Sequence, residues 1–270
     1  MADSHYADCL PFITALNFMD ILLSRKRHTD HTRNYRENVT PSNTETSFQV
    51  VVEQTDLFII AEKNLSKESL NAVHEIRSVL NGHIILNSLF ATSLVPIPVP
   101  EKTHPIISAM AYSAQICNVG PMAAVAGAVA QYVADQLLPY SSNIIVENGG
   151  DIFMHSTKDR KVALLSEPDS GAQIGLAIDA EDFPVSICSS SGTIGHSLSL
   201  GSGDLVTVRS KDARFADAAA TALANLLKTP SDVPAVIEKA RTLSEHGLDG
   251  VFVQYDSKIG AWGNIELIAL

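Results

Sequence analysis

The sequence has few cysteines and a shortage of positive charge. Cys9, Cys117 and Cys188 are the three cysteines of the 270-residue chain, and they lie far apart without a CxxC pair. This spacing indicates neither a disulfide framework nor a zinc ribbon, and it favours a reducing compartment. Lys and Arg number 19 against 30 Asp and Glu, so the formal charge is −11. Because phosphate contacts need a surplus of Lys and Arg, we expect no nucleic-acid partner.

Long apolar runs are missing as well. A membrane-spanning helix needs roughly 18 to 20 consecutive apolar residues, and the apolar stretch 10–23 is interrupted by Asn17 and Asp20. That stretch also lacks a preceding basic region, so we expect no secretory signal. These absences together predict a cytoplasmic protein without a membrane span.

The chain does contain enough apolar material for a packed core. Hydrophobic residues make up 46% of the sequence and the mean hydropathy is +0.12, which predicts a globular protein. Residues 1–45 differ in composition, because basic side chains cluster at 25–36 and polar ones follow. We therefore expect a basic, poorly ordered N-terminal extension over 1–45 and a single domain over 46–270.

Strand and helix patterns are mixed irregularly along the predicted domain. Apolar β-branched runs around polar turns predict hairpins at 48–61, 143–155 and 251–267, the last turning at 257–260. Apolar spacing of three and four residues and proline positions predict helices from 66 to about 81 or beyond, and over 105–117, 121–138, 213–224 and 233–243. Ser66 is the expected N-cap of the first helix, with Gly82 the weak point near its end. Hairpins mixed with long helices indicate an α+β fold with a largely antiparallel sheet.

Two of the predicted helices, 121–138 and 213–224, are rich in alanine. Small side chains permit close approach, so we expect these helices to pack together or each to lie tight on a sheet. If they touch, the start of the first helix and Asp217 share one neighbourhood.

The stretch 186–203 contains many hydroxyls, four glycines and one histidine. Such a composition brings backbone N–H groups and hydroxyls to something outside the chain. The candidate ligand-binding residues here are Ser190, Ser191, Gly192 and Thr193, and the candidate catalytic group is His196. The alternatives are that the hydroxyls bond their own turn and that the histidine is an ordinary exposed loop residue.

Asp217 and Thr221 are four residues apart in a predicted helix, so a carboxylate and a hydroxyl share one face. Hard oxygen ligands so placed suit Mg²⁺ or Ca²⁺ better than zinc. The alternative is that the helix dipole favours an early carboxylate and that Thr221 packs internally.

The segment Asn148-Gly149-Gly150-Asp151 joins two predicted strands. Glycine supplies the positive φ of a tight turn, and two glycines in a row also let a ligand approach the backbone closely. The Asn148 amide can hydrogen-bond a ring edge or a phosphate. Asp151 either caps the turn or belongs to the site.

Four motifs occur in order along the chain: VGPMAAVAG at 119–127, IVENGGDIF at 145–153, CSSSGTIGHS at 188–197 and ADAAATAL at 216–223. Together they closely resemble an uncharacterised bacterial and archaeal protein family. That family is related in turn to ApbE, the FAD:protein FMN transferases. The resemblance covers about residues 30–255.

The resemblance to ApbE implies a T-fold-like α+β domain with a flavin nucleotide, FAD or FMN, in a cleft and Mg²⁺ beside its diphosphate. Segment 148–151 resembles the family's Gly-Gly-Asp turn at the flavin cleft. Segment 190–192 resembles its Thr-Ser-Gly strand end, and His196 resembles the histidine that follows. Asp217 and Thr221 are similar to its metal-binding Asp and Thr, which a backbone carbonyl completes, here within 122–125.

Three functional hypotheses stay open. The first is a Mg²⁺-dependent enzyme of the FAD:protein FMN transferase type, acting on a flavin or another diphosphate-bearing nucleotide. The second is a flavin-binding or nucleotide-binding module without catalysis, because Ala126 replaces the family's lysine and no acid follows His196. The third is a structural protein in which the alanine-rich helices and the hydroxyl-rich loop form a homo-oligomer interface.

Overall fold

The computed structural model describes residues 42–164, 174–191 and 202–270. Its strands are β1 (Thr46–Val52), β2 (Thr55–Ala61), β3 (Ile144–Asn148), β4 (Asp151–His155), β5 (Arg160–Leu164), β6 (Ile174–Ile178), β7 (Val185–Ser190), β8 (Leu205–Ser210), β9 (Leu248–Tyr255), β10 (Lys258–Gly263) and β11 (Glu266–Ala269). Its α-helices are α1 (Ser66–Leu86), α2 (Leu89–Thr92), α3 (Pro105–Cys117), α4 (Val125–Leu137), α5 (Ala213–Leu226) and α6 (Val233–Thr242). A 3₁₀ turn, Pro121–Ala124, leads directly into α4.

Eight strands form one sheet in the order β1-β2-β3-β4-β7-β8-β9-β10, and every neighbouring pair is antiparallel. The step from β4 to β7 skips β5 and β6, which belong to a second, three-stranded antiparallel sheet in the order β11-β6-β5. The predicted α+β fold with a largely antiparallel sheet and long helices is therefore confirmed.

The long helices cover one face of the eight-stranded sheet. Ile76 of α1, Met110 of α3 and Leu223 of α5 are fully buried in the same cluster as Phe153 of β4. Because side chains alternate along a strand, the next residue, Met154, points to the opposite face. There it belongs to a second apolar cluster.

The second cluster lies between the two sheets. Ile187 of β7 and Phe252 of β9 meet Val162 of β5 and Leu176 of β6 there. The molecule thus has three layers: helices, large sheet and small sheet.

The alanine-rich helices α4 and α5 pack against each other, one of the two arrangements that their composition predicted. A Cβ on Gly127 would lie 2.1 Å from the carbonyl oxygen of Ala213, so this crossing has room only for glycine. The alanines of α5 at 216, 218, 219, 220 and 224 are buried inside the fold. The third hypothesis placed an oligomer interface on these helices, and the structure instead uses the α5 alanines in its core.

Among the described residues, no single helix is long and apolar enough to cross a bilayer. Helices α3 and α4 meet that criterion only when joined, and they are bent by 107° at their break. Met110 in α3 and Val133 in α4 are fully buried in the core.

Helix α1 has a different N-cap from the predicted one, because Ser66 is its first residue and Leu65 is the N-cap. Asn64, not Ser66, supplies the capping acceptor: its Oδ1 accepts from the Ser66 N–H at 2.9 Å and from the Ser66 hydroxyl at 2.6 Å. The helix continues beyond residue 81, as its pattern allowed, and ends at Leu86. Its last turn is supported from outside, because the ring of His83 meets the buried ring of Phe90 edge-on at 4.7 Å.

The predicted closing hairpin is wrong in its second half. The turn is at 256–257, and the chain leaves the large sheet after β10. Gly263 has φ 81°, and a Cβ there would lie 2.2 Å from the Asp249 carbonyl oxygen. That carbonyl accepts a hydrogen bond from the Asn264 N–H at 2.8 Å. The bend sends β11 to the small sheet, where it pairs with β6.

Candidate functional site

The turn between β3 and β4 lies beside the end of β7. Asp151 is directly opposite Cys188 in the β4–β7 pair, and a Cβ on Gly150 would lie 3.9 Å from the Ser189 carbonyl oxygen. Gly149 and Gly150 have φ values of 68° and 112°, a region that favours glycine. The structure therefore brings the double-glycine turn and the hydroxyl-bearing strand end together.

The polar side chains of these two segments point toward the helical layer. Phe153 and Cys188 belong to the helix-side core, and residues two apart on a strand share a face. Asp151 and Ser190 therefore face the helices as well. Both are buried, with 5% and 6% of their surface exposed.

Two side chains hold the first turn of α4. The Asn148 side-chain amide donates to the Ala126 carbonyl at 3.1 Å, and the Gly127 N–H donates to Asp217 Oδ2 at 2.9 Å. The Ala126 N–H also interacts with the Asp217 carboxylate. The start of α4 is therefore fixed between the sheet and α5, and Asp217 accepts N–H groups that a helix start leaves without an intrahelical partner.

Helix α4 likewise provides a hydrogen-bond acceptor for the start of α5. Gln131 Oε1 accepts a hydrogen bond from the Ala213 N–H, the first of α5, at 2.9 Å. Each helix thus supplies an acceptor for the start of the other. Sequence reasoning missed this exchange, because it joins residues 82 and 90 positions apart. A glycine inside an alanine-rich helix was the one local signal of close approach.

Two carboxyl groups in this region resist ionisation. Burial raises the pKa of Asp151 to about 7, against hydrogen bonds from Cys188 and Ser189 that favour its charged form. Burial, and then the charge of Asp151, raise the pKa of Asp217 well above its usual range despite the N–H groups of α4. A cation placed near both would relieve both penalties.

Two buried polar atoms face this region without a hydrogen-bond partner among the described residues. They are Asp151 Oδ1 and Ser190 Oγ. Buried polar atoms are normally paired, so these two mark a place where a ligand atom, a cation or water is expected to complete the set.

The remaining predicted site residues are placed as follows. Thr221 lies one turn beyond Asp217 on α5 and is half-buried, and Ser191 is half-buried just beyond β7. Gly192, Thr193 and His196 lie outside the described residues. Across the described ranges, no group of three or more His, Cys, Asp and Glu is positioned to hold a metal ion. One carboxylate and one hydroxyl would therefore need ligand oxygens and water to complete a Mg²⁺ site.

Cys188 is a structural residue of β7. It is fully buried, and its thiol lies 3.6 Å from the Ala213 carbonyl. Burial, and then the charge of Asp151, raise the pKa of this thiol well above its usual range. A thiol held in its neutral form is a poor nucleophile.

Comparison with known proteins gives consistent results. A family model described as AbpE bacteria matches residues 37–250. A UPF0280 protein of Methanocaldococcus jannaschii is 34% identical over 228 residues, which are 82% of this chain and 92% of the relative. A UPF0280 protein of Methanococcus maripaludis is 37% identical over 227 residues, which are 82% of this chain and 88% of the relative.

Solved structures with the same fold are ApbE proteins. The apo flavinyl transferase ApbE of Pseudomonas stutzeri has a TM-score of 0.50 at 11% identity, covering 82% of this chain and 94% of its own. The ApbE protein of Thermotoga maritima also has a TM-score of 0.50 at 11% identity, covering 82% and 97%. Identity this low shows the fold alone. The family match, the archaeal relatives and the shared fold agree, and the chain belongs to the ApbE-related family of UPF0280 proteins.

Proposed function

We propose that this protein is a Mg²⁺-dependent enzyme that acts on a flavin or another diphosphate-bearing nucleotide. The observation that carries the proposal is the pair of carboxyl groups beside the start of α4. Asp151 and Asp217 both have raised pKa values, and Asp151 Oδ1 is buried without a partner among the described residues. Such an arrangement is costly unless a positive charge completes it.

Each residue has a proposed role. Asp217 and Thr221 would hold Mg²⁺ by a carboxylate and a hydroxyl one helical turn apart. The bound ion would supply charge neutralisation for a diphosphate. Gly149 and Gly150 would let the nucleotide approach the backbone, because neither carries a side chain. Ser190 and Ser191 would donate hydrogen bonds to it.

The resemblance to ApbE supports three further residues outside the described ranges. Gly192 and Thr193 extend the proposed nucleotide-binding segment, and His196 is the proposed catalytic group. Flavinyl transfer, the activity named for the Pseudomonas protein of the same fold, is the reaction to assay first. We also propose that the protein works in the cytoplasm, where its buried free cysteines, Cys117 and Cys188, would stay reduced.

A second candidate is a binding module that keeps the site without catalysis. The observation in its favour is Ala126, which stands where the ApbE pattern has a lysine. Its carbonyl is bound by Asn148. Both candidates predict nucleotide binding, and turnover separates them: a module would bind FAD with Mg²⁺ yet transfer no FMN to any acceptor protein.

The proposal is tested by calorimetric titration of FAD with and without Mg²⁺. The parent protein should bind FAD more tightly with Mg²⁺, and by linkage Mg²⁺ more tightly with FAD. Asp217→Asn should abolish this coupling because it removes the charge. Thr221→Val should weaken the coupling less, because a neutral ligand contributes less to binding a dication.

Asp179→Asn is the matched control, since the same chemical change falls on an exposed residue that follows β6 of the small sheet. It should leave the coupling intact. Equal FAD affinities with and without Mg²⁺ in the parent would reject the metal assignment and leave the likeness to ApbE as one of fold. A separate test addresses catalysis: in an enzyme, His196→Gln should stop turnover while FAD still binds.

A further inference from the structure

One stretch of the chain carries no charged residue. From 81 to 100 there is no Asp, Glu, Lys or Arg, although charged residues make up 18% of the whole sequence. Five large apolar side chains at the end of α1, in α2 and just beyond it are between 59% and 88% exposed: Ile85, Leu86, Leu89, Leu94 and Val95. We call these five residues the apolar face. Monomeric proteins rarely expose apolar patches larger than a few hundred Å² without a binding role.

The backbone beneath the apolar face is held in place. Phe90 is fully buried, and its ring packs against His83. A Cβ on Gly120 would lie 1.8 Å from the Ser93 carbonyl oxygen, so the two chain segments are in direct contact. The Ser93 hydroxyl donates to the Val95 carbonyl at 2.6 Å. The face is therefore a preformed surface, and ordering it on binding costs little.

We propose that the apolar face is the contact between two copies of this chain. Each copy carries a formal charge of −11, so most approaches between copies are repulsive. An uncharged face is the part of such a surface where two copies meet with least repulsion. One patch meeting itself gives a twofold arrangement, the commonest symmetry of soluble dimers.

The area of the apolar face is large enough for contact with a second copy of the chain. Five side chains that each expose on the order of 100 Å² give a paired burial of about 1,000 Å², which is the size at which a specific interface begins. The charge-free composition also matches the core of an interface, where charged residues are depleted.

The proposed contact lies next to the candidate site but uses none of its residues. Helix α2 packs against the 3₁₀ turn that leads into α4, whereas Asp217 and the double-glycine turn belong to other elements. Variants of the apolar face and variants of the site therefore test separate proposals, and this inference does not depend on the proposed function.

The test is sedimentation of the full chain over a range of concentrations. The parent should be a dimer at micromolar concentration. Leu86→Glu combined with Leu89→Glu brings four carboxylates together across the twofold axis, and it should weaken dimerisation by at least about 100-fold. Both side chains are more than 60% exposed, so the fold should survive, as an unchanged thermal midpoint would show. Leu86→Gln, without a charge, should weaken the dimer less.

Ile259→Glu is the matched control, since Ile259 is 46% exposed on β10, which lies at the edge of the large sheet opposite to β1 and so away from α1. It should leave the dimer intact. A monomeric parent would overturn the proposal. A monomer that binds vesicles of anionic lipid through the face would assign it to a membrane surface, and protease protection of 10–23 in a monomer would assign it to this chain's own N-terminal segment. A dimer that survives Leu86→Glu with Leu89→Glu would place the interface elsewhere.

Discussion

The two faces of the large sheet bury different chemistry. On the helix side, Asp151 and Ser190 lie among cysteine and alanine side chains. On the other side, Met154, Ile187 and Phe252 belong to an apolar cluster under the small sheet, and the buried Arg209 on that face is paired with Asp182. The same strands serve both faces, because alternate residues point in opposite directions. The helix-side face therefore buries a carboxyl group with one oxygen unpaired among the described residues, whereas the buried charge on the other face has an ion-pair partner.

The largest expected effect comes from creating a cavity in the apolar cluster between the two sheets. Phe252→Ala should lower the free energy of unfolding by about 3–5 kcal/mol, since it leaves a cavity in a fully buried cluster. Urea denaturation measures the loss. Below its unfolding transition the variant should keep the difference in FAD affinity that Mg²⁺ makes in the parent. Loss of that difference in a folded variant would show that the faces are not independent.

A substitution that crowds the contact between α4 and α5 should lower stability less than Phe252→Ala, but it should also weaken the Mg²⁺ effect on FAD binding. Gly127→Ala places a Cβ against the Ala213 carbonyl and near Asp217, so α4 and α5 must separate, at about 1–3 kcal/mol. The Mg²⁺ effect on FAD binding should fall at the same time. Gly82→Ala in α1 is the control, because a Cβ there meets nothing within 4 Å. It should raise stability by about 0.5–1 kcal/mol. Equal effects of the two substitutions would contradict the close crossing.

The carboxyl group in the helix-side core should make stability fall as pH rises. The pKa of Asp151 is raised to about 7, so its ionisation opposes folding progressively from about pH 4 to about pH 7 and fully above that. Asp151→Asn removes this penalty. Relative to the parent, the variant should gain stability with rising pH between pH 4 and pH 7, by at most about 1.4 kcal/mol per pH unit, and gain no more above that. Thermal midpoints at both pH values measure the gain, and a pH-independent difference would argue against the raised pKa.

Glu45, next to the edge strand β1, should make stability rise with pH, the opposite of Asp151. A hydrogen bond from Arg160 is the main cause that lowers the pKa of Glu45 to about 2, and Arg160 Nη1 lies 3.0 Å from Glu45 Oε2. Its contribution is present above the ordinary pKa and is lost as pH falls toward 2. Glu45→Gln should therefore cost about 1 kcal/mol at pH 7 and little at pH 2. Denaturation at both values checks this, and a larger cost at the acidic value would reverse the assignment.

Local signals predicted most of the elements. The double glycine gave the hairpin of β3 and β4, and Pro105 marked the first residue of α3 as expected. Errors arose where a distant contact decides. The predicted strand 261–267 is split between two sheets, because the chain bends at Gly263, where its backbone packs on Asp249.

The candidate site was predictable as a set of segments but not as an arrangement. Motifs placed Asp217 and the Asn148–Asp151 turn on the list of candidates separately. Their proximity depends on the β4–β7 register and on the crossing of α4 with α5, which link positions far apart in the chain. Asn148 shows the limit: its side-chain amide was expected at a ring edge or a phosphate, and it bonds the Ala126 carbonyl.

The exchange of hydrogen-bond acceptors between α4 and α5 also limits which substitutions these two helices can tolerate. A change at Asp217 removes support from the start of α4, and a change at Gln131 removes support from the start of α5. A substitution at Asp217 or at Gln131 therefore affects a helix other than the one that carries it. A substitution at Asp217 that changes metal binding should therefore also need a new acceptor for the Gly127 N–H at the start of α4.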